Sequence, residues 1–291
     1  MKVLVTGATG YIGAAVAEAL AAAGHAVTGL ARSDEAARKI ESRGYRAARG
    51  DVREPASVAA AAREADALIH TALPAAPDAG QVDRALVEAV LEALAGSGKA
   101  FVYTSGVWVH GNTGDRVADE DTPLDPTPLV AWRPAVERLV LDAAPRGARG
   151  VVIRPAMVYG RGGGMAMSFV RSAREHGAAR MVGDGNNRWT WVHVDDLADL
   201  YVRLLDAPAG TLVLAASGPA VRVREVAEAA SRAAGAGGKV EATPLEQARA
   251  NLGPYADALA LDQQVTARRA AELLGWRPEA RRVLDEIASG S

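Results

Sequence analysis

Short apolar runs alternate with longer, alanine-rich segments through the first two-thirds of the chain. The short runs, such as VLV at 3–5 and VVI at 151–153, are apolar at consecutive positions, which is typical of strands that helices cover on both faces. They predict strands at 2–6, 26–30, 47–49, 67–71, 101–104 and 150–154, and the longer segments predict helices at 12–23, 34–43, 57–64, 81–97 and 131–144. Strands that alternate with helices indicate βαβ units and therefore an α/β fold with a doubly wound parallel sheet.

The pattern becomes less regular after residue 154. A glycine-rich loop covers 160–164 and a turn covers 182–188, whereas the periodic segments predict helices at 194–205, 223–234 and 267–274 with a strand at 211–215. We therefore expect a doubly wound domain over 1–155. Over 156–291 we expect a small lobe that is interleaved with elements returning to the sheet.

Composition narrows the function classes. Of the 291 residues 49% are apolar and 23% are charged, and the net charge of −2 is unlike that of a protein that binds nucleic acid or anionic membranes. The absence of cysteine excludes disulfides, zinc thiolate sites and thiol catalysis. No run reaches the roughly 20 apolar residues of a membrane span. We expect a cytoplasmic protein that acts on a small-molecule substrate, with no nucleic-acid or membrane partner.

Three glycines follow the first predicted strand and open the first predicted helix: Gly7, Gly10 and Gly13. In such a turn Gly7 permits the sharp bend, Gly10 lets the backbone approach a pyrophosphate, and Gly13 allows the helix to pack against the sheet. The helix N-terminus then offers backbone N–H groups and a positive dipole end to the phosphates. This arrangement predicts a Rossmann domain that binds a nicotinamide dinucleotide.

The G-x-x-G-x-x-G spacing resembles that of the short-chain dehydrogenase/reductase superfamily, in its extended and atypical branches. Further matches cover nearly the whole chain: Asp51-Val52 after the third strand, ALIHTA at 67–72, RPAMVYG at 154–160, GDGNNRWTWVHVDD at 183–196 and GWRP at 275–278. The resemblance implies an NAD(P)-dependent, epimerase/dehydratase-like protein whose C-terminal lobe caps the substrate.

The resemblance also implies which residues contact the cofactor. They lie in the glycine turn, at the ends of the second to fifth strands, in the helix over 131–144 and at the start of the lobe: Gly7, Thr9, Gly10, Tyr11, Ile12, Gly13, Arg32, Ser33, Asp51, Val52, Thr71, Ala72, Leu73, Thr104, Arg133, Pro155 and Val158.

The end of the second strand decides between the two nicotinamide cofactors. An acidic residue there binds the ribose 2′-hydroxyl of NAD, whereas an arginine accommodates the 2′-phosphate of NADP. Here Ala31 stands at the acidic position and is followed by Arg32 and Ser33. We predict NADP, with NAD as the alternative if Arg32 is a solvated surface residue and Asp34, or nothing, contacts the ribose.

The usual catalytic groups of the superfamily are missing. Most members use a Ser or Thr with Tyr-x-x-x-Lys, in which the Tyr exchanges a proton with the substrate and the Lys lowers its pKa. None of the six tyrosines is followed four residues later by lysine. Pattern alignment places Leu129 at the Tyr position, Arg133 at the Lys position and Gly106 at the Ser/Thr position.

Other residues must then supply the acid–base chemistry. Arg133 is expected to bind the ribose hydroxyls, but a guanidinium does not release a proton at neutral pH. The remaining catalytic candidates are Ser105, His110 and Tyr159. His110 has a suitable intrinsic pKa, although a packing role behind the site is the stronger interpretation. Ser105 is interpreted as a hydrogen-bond partner of cofactor or substrate.

Three residues are candidates for substrate binding: Trp108, Trp132 and Arg188. The two tryptophans are expected to wall a pocket, with at least one of them belonging to the core. Nucleotide-sugar members of the superfamily grip a diphosphate with an arginine at the position of Arg188, and the alternative is an ion pair with Asp184 or Asp195. The apolar residues after the glycine-rich loop favour an apolar or mixed substrate.

The V-H-V-D-D run at 192–196 superficially resembles a metal site. We interpret it instead as a strand end followed by an aspartate N-cap of the next helix, and we predict no metal.

The altered positions leave three functions open. The leading hypothesis is an NADP-dependent oxidoreductase of the carbonyl/alcohol type with rebuilt proton transfer. The alternatives are an epimerase, dehydratase or cyclase that retains the dinucleotide without net redox chemistry, and a non-catalytic dinucleotide sensor. The resemblance to extended members further implies a homodimer with a four-helix interface formed by the helices predicted at 81–97 and 131–144.

Overall fold

Strands and helices alternate up to residue 155, as the hydrophobic pattern predicts, in a computed structural model that describes residues 1–74 and 76–290. The strands are β1 Lys2–Thr6, β2 Ala26–Ala31, β3 Arg46–Arg49, β4 Ala67–His70, β5 Ala100–Thr104, β6 Val117–Ala118, β7 Arg149–Pro155, β8 Met157–Gly160, β9 Ala179–Val182, β10 Arg188–His193, β11 Thr211–Ala215, β12 Ser217–Arg222, β13 Val240–Thr243 and β14 Gln264–Val265. The helices are α1 Tyr11–Ala22, α2 Asp34–Glu41, α3 Pro55–Glu64, α4 Ala79–Ala93, α5 Arg133–Leu141, α6 Gly164–His176, α7 Val194–Leu204, α8 Val223–Ala233, α9 Leu245–Leu252, α10 Tyr255–Leu259, α11 Arg268–Leu274 and α12 Val283–Ser289.

Seven strands form one large sheet in the order β11-β7-β5-β4-β1-β2-β3. The neighbouring pairs from β3 to β7 run parallel, with Val3 opposite Val27 on one side and Ala67 on the other. Helices cover the sheet, so consecutive residues of β1 and β4 are buried on both faces. The prediction of an α/β fold with a doubly wound parallel sheet is confirmed.

Two predicted helices are shorter than their patterns suggested. Helix α4 ends at Ala93 rather than at 97, where glycines 96 and 98 adopt positive φ values. Helix α5 starts at Arg133 rather than at 131 and is preceded by the short 3-10 turn Pro128–Val130. Pro134 accounts for this start, because proline lacks an N–H donor and is accommodated only in the first turn of a helix.

The contacts divide the described chain into two units. The first consists of Met1–Ser105, Trp132–Arg154 and Leu197–Val213, and it carries most of the large sheet. The second consists of Gly106–Ala131, Pro155–Asp196 and Leu214–Ser291. Residues 106–131 therefore group with the second unit, although the expected boundary at 155 assigned them to the first domain.

The second unit has its own apolar core. A small sheet of order β12-β10-β8 supplies one side, with β8 parallel and β12 antiparallel to β10. Helices α6, α8 and α12 pack around it and bury Phe169, Trp189, Trp191 and Val226.

Among the described residues, none of the helices has both the length and the apolar character needed to cross a bilayer.

Candidate functional site

The glycine turn between β1 and α1 closes so tightly that two of its glycines are sterically required. Gly7 has a φ of +73°, and a Cβ built on it would lie 2.8 Å from the Thr71 hydroxyl oxygen. A Cβ on Gly13 would lie 2.2 Å from the carbonyl oxygen of Gly7. The Gly10 N–H donates to that same carbonyl at 2.8 Å. Gly13 therefore permits closure of the turn itself, in addition to the helix packing expected of it.

The start of α1 is suited to an anionic group. Helix α1 begins at Tyr11, its N-cap residue is Gly10, and no side chain caps it. Without a side-chain acceptor, the first-turn N–H groups and the positive end of the helix dipole are directed at whatever lies beyond the turn. The turn geometry and this helix start together fit a dinucleotide pyrophosphate. Thr9, Tyr11 and Ile12 belong to this segment, and their cofactor contacts stay predictions.

The segment after β4 packs against the glycine turn. The Thr71 hydroxyl donates to the Thr6 carbonyl at 2.7 Å, and the Thr6 hydroxyl oxygen accepts from the N–H groups of Thr71 and Ala72. Leu73 follows with 46% of its surface exposed. The cofactor contacts of Thr71, Ala72 and Leu73 stay predictions.

A buried polar chain lies beneath this region, and sequence reasoning missed it. The Thr6 hydroxyl is 2.7 Å from His70 Nδ1, His70 Nε2 is 3.0 Å from Asp83 Oδ1, and the Tyr103 hydroxyl donates to Asp83 Oδ2 at 2.5 Å. All four side chains are at most 2% exposed. Burial, together with the neighbouring Asp83 carboxylate, raises the pKa of Tyr103 well above its ordinary value. A polar residue on the buried face of α4, Asp83, was the available sequence signal.

The end of β2 lacks an acidic acceptor. Ala31 is 1% exposed, and the exposed Arg32 guanidinium makes no ion pair or hydrogen bond with any described residue. The Ser33 hydroxyl caps α2 by accepting from the Ala36 N–H at 3.2 Å. Asp34 forms an ion pair with Arg49, so its carboxylate is already neutralised.

The segment after β3 is held in a turn that opens α3. Asp51 Oδ1 accepts from the Arg53 N–H at 2.9 Å, and the Asp51 N–H donates to the Ser57 hydroxyl at 3.1 Å. Arg53 forms a two-pronged ion pair with Asp78 at 2.8 and 3.0 Å, which lowers the Asp78 pKa. This turn fixes Asp51 and Val52 in place, and their contact with the adenine stays a prediction.

Arg133 lies at the C-terminal end of β5. One guanidinium N–H donates to the Thr104 carbonyl at 2.9 Å, and the guanidinium carbon lies 4.8 Å from the centre of the Trp132 ring. Trp132 in turn packs against Gly80, where an added Cβ would lie 2.6 Å from its indole ring. Trp132 is therefore a support for Arg133 and α4 within the first unit.

A second contact at the end of β5 was not predicted. The Thr104 hydroxyl lies 2.6 Å from the hydroxyl of Tyr201, a fully buried residue of α7. Burial raises the Tyr201 pKa far above its ordinary value, so the phenol stays protonated. Among the described residues, the Tyr201 hydroxyl has one oxygen partner, that of Thr104. If the Tyr201 hydroxyl did not donate to this oxygen, its buried hydrogen would have no acceptor. We infer that Tyr201 donates to Thr104.

Ser105 and Gly106 complete this strand end. The Ser105 hydroxyl oxygen is enclosed and has no hydrogen-bond partner among the described residues. Gly106 has an extended φ of 178°, and a Cβ added to it would meet no atom within 4 Å. A Cβ at position 106 would therefore meet no steric obstacle, although glycine carries none.

In the second unit, two of the predicted catalytic residues are buried. His110 closes the 3-10 turn Val107–His110 and is 3% exposed. The Tyr159 hydroxyl donates to the Arg281 carbonyl at 2.5 Å, and burial raises the Tyr159 pKa to about 12. Proton transfer by Tyr159 would have to break that hydrogen bond. Catalysis by Ser105, Arg133, His110 and Tyr159 stays a prediction.

The remaining predicted contacts of the second unit lie in β7, β8 and the 3-10 turn. Pro155 is buried and Val158 is half-buried, and Trp108 packs edge-on against Tyr255 with ring centres 5.8 Å apart. Their roles toward cofactor and substrate stay predictions.

Arg188 is engaged by two carboxylates, neither of which is Asp184 or Asp195. Its guanidinium contacts Asp262 at 2.6 Å and Asp115 at 3.1 Å, and these contacts raise its pKa. The expected partners were therefore wrong because Asp184 instead accepts from the Asn186 backbone and side chain, and Asp195 pairs with Arg161. A guanidinium that is already neutralised is poorly placed to bind a diphosphate.

The V-H-V-D-D run ends a strand as predicted, but its aspartates do not occupy the N-cap. Helix α7 begins at Val194, so Asp195 and Asp196 lie inside its first turn. There they still complement the helix dipole. Asp196 also accepts from the N–H groups of Glu279 and Ala280, which fastens the segment before α12.

Comparison with known proteins identifies relatives over the whole chain. The family described as NAD dependent epimerase/dehydratase matches residues 3–215. An uncharacterised protein of Saccharomyces cerevisiae is 30% identical over 99% of this chain and 98% of that protein. The 4-hydroxy-2-methyl-3-oxo-4-farnesyl-3,4-dihydroquinoline-1-oxide ketoreductase of Stigmatella aurantiaca is 27% identical over 86% of this chain and 78% of that protein.

A solved structure shares the fold. The dTDP-glucose 4,6-dehydratase DesIV of Streptomyces venezuelae, with NAD and TYD bound, superposes with a TM-score of 0.84 at 21% identity, covering 100% of this chain and 95% of that one.

Proposed function

Because the chain belongs to the NAD dependent epimerase/dehydratase family, we propose that it is an NADP-dependent reductase that interconverts a carbonyl and an alcohol on a small molecule. The observation that carries the cofactor choice is the exposed, unpartnered Arg32 beside a buried Ala31. The family's description supports a nicotinamide dinucleotide in general, and the glycine turn and the uncapped start of α1 are suited to its pyrophosphate.

The charges around the end of β2 support NADP over NAD. Arg32 has no partner among the described residues, whereas the nearby Asp34 is neutralised by Arg49. Arg43 adds positive charge close by, since its guanidinium reaches the Ala8 carbonyl in the glycine turn at 3.4 Å. A planar guanidinium donates two parallel hydrogen bonds to a phosphate. A ribose 2′-phosphate would therefore find a donor here, whereas position 31, where NAD-binding members carry an acidic residue, holds the buried Ala31.

Thr104 and Arg133 are proposed to take over part of the work of the missing phenol and lysine. Tyr201 donates to the Thr104 oxygen, so the hydrogen of the Thr104 hydroxyl is available to a ligand. Arg133 uses one N–H on the Thr104 carbonyl, and its remaining N–H groups can bind ribose hydroxyls or a developing alkoxide. Fixed donors stabilise an alkoxide electrostatically. When bound, the reduced nicotinamide would supply the hydride, and water would protonate the alkoxide.

The relatives support a reductase. Curated relatives include several reductases, among them the ketoreductase of Stigmatella aurantiaca, which is matched over most of its length. A farnesyl-bearing substrate is named for that protein, which agrees with the apolar or mixed substrate expected for this chain.

Oxidation of NADPH by the purified protein in the presence of alkyl ketones tests this proposal. We expect ketone-dependent loss of the reduced nicotinamide absorbance, and a smaller rate with NADH. Substrate conversion without net NADPH oxidation would favour the epimerase or dehydratase alternative. Cofactor binding without any conversion would favour a sensor.

A homodimer is proposed through the exposed sides of α4 and α5, which pack side by side in the first unit. The solution mass, measured by light scattering, is expected to be twice the chain mass of 30.1 kDa. A monomeric mass would remove this proposal without affecting the reductase.

A further inference from the structure

The second unit contains a cavity of about 330 Å³. Six of its lining residues are large and apolar: Met165, Phe169, Met181, Trp189, Leu252 and Leu259. This volume lies at the lower end of the roughly 300–1,000 Å³ range of ligand pockets. It therefore suits a group of moderate size.

The floor of the cavity presents apolar surface. Phe169 stacks on Trp189 with ring centres 6.2 Å apart and an interplanar angle of 25°. The Trp189 indole N–H donates to the Leu261 carbonyl at 3.2 Å, and the Ser168 hydroxyl donates to the Met165 carbonyl at 2.6 Å. Both donors are satisfied within the protein. The other uncharged polar residues of the lining are Asn251, which is exposed to solvent, and the half-buried Thr243.

The cavity offers no unpaired cation for a phosphate. Arg180 is the one charged residue among its described lining, and its guanidinium contacts Glu241 at 3.1 Å. The guanidinium of Arg188, on the adjacent strand β10, is engaged by Asp262 and Asp115. An anionic ligand would have to break one of these ion pairs to reach a guanidinium, whereas an uncharged ligand leaves the ion pairs intact.

Leu252 is 45% exposed although it lines the cavity. A ligand in the cavity would cover part of this side chain and so bury apolar surface. The methionines and leucines of the lining are unbranched or flexible, and methionine in particular adapts to ligands of irregular shape.

We propose that this cavity binds an uncharged aliphatic chain. The inference goes beyond the proposed function and does not depend on it. Binding itself requires neither cofactor nor turnover, so the two proposals fail separately.

The test is fluorescence titration of the purified full-length protein with N-phenyl-1-naphthylamine, followed by competition with 1-decanol or with UDP. We expect saturable binding of the probe, displacement by decanol and no displacement by UDP. Leu252→Asp is expected to raise the Kd of the probe about tenfold, since losing roughly half of one leucine's burial has that effect. Leu273→Asp is the matched control, because Leu273 is a 56% exposed leucine of α11 that does not line the cavity.

Three outcomes would overturn the inference: absence of saturable probe binding, displacement by UDP but not by decanol, or equal effects of the two aspartate variants. A protein that binds decanol at this site yet reduces no carbonyl with NADPH would uphold the inference and refute the reductase.

Discussion

Replacement of Arg32 by alanine tests the proposed cofactor preference. The side chain is exposed and contacts no described residue through a hydrogen bond or ion pair, so the variant should fold as the parent does. Hydrogen bonds to a charged group contribute about 1.5–3 kcal/mol, and about 1.4 kcal/mol corresponds to a factor of ten in Kd. Because an exposed charge is screened by salt, we expect the lower end of that range, or about a tenfold rise in the Kd of NADPH.

The assay is a titration of nicotinamide fluorescence on binding, performed with NADPH and with NADH. Arg32→Ala should weaken NADPH binding and leave NADH binding within a factor of about two, because only NADPH carries the 2′-phosphate. Arg174→Ala is the matched control, since Arg174 is another exposed arginine, at the end of α6 in the second unit.

An equal loss for both cofactors would refute the reasoning, because it would mean that Arg32 contacts a part that NAD and NADP share. An unchanged Kd for NADPH would equally refute it and would restore the interpretation of Arg32 as a solvated residue.

Three further predictions follow from the contacts of the first unit and from the buried tyrosines. Tyr201→Phe removes the phenol that holds the Thr104 hydroxyl, so it should lower kcat for NADPH-dependent ketone reduction at least about tenfold. The control Tyr103→Phe also removes one buried hydroxyl and should lower the unfolding free energy without changing kcat. Equal kcat values for the two variants would contradict the role of Tyr201. Gly13→Ala should abolish saturable NADPH binding, since its Cβ would lie 2.2 Å from the Gly7 carbonyl oxygen, and a Kd within about threefold of the parent would contradict the turn geometry. The Tyr159 pKa is raised from 10.0 to about 12, so the contribution of the protonated phenol to stability is full below pH 10 and is lost as the pH rises towards 12. Urea unfolding should therefore show a steeper alkaline loss of unfolding free energy in the parent than in Tyr159→Phe. Identical slopes for the two proteins would contradict this prediction.

Much of the first unit could be predicted because its signals are local. Continuous apolar runs identify the central strands, and the glycine turn has a steric cause that its spacing already indicates. The start of α5 was less predictable, because Pro134 sets it through the geometry of the first helical turn. The second unit has short strands such as β6 and β14, which pair across the chain and carry little periodicity.

The site was predictable only where neighbouring residues form it. The exposure of Arg32 at the end of β2 follows from its place after a buried strand, and its contact with a cofactor stays a prediction. The Thr104–Tyr201 contact joins residues 97 apart, and no local pattern connects them. Arg188 was expected to pair nearby in sequence, but its main partner Asp262 is 74 residues away. Tertiary packing, rather than sequence proximity, selects these partners.

Isotope transfer tests the proposed reductase most directly. The purified protein would be incubated with a medium-chain alkyl ketone and NADPH that carries deuterium at the hydride-donating position, and the products would be analysed by mass spectrometry. The proposed reductase predicts an alcohol that carries a single deuterium, formed in equal amount to oxidised NADP. Converted substrate without deuterium and without oxidised NADP would contradict it.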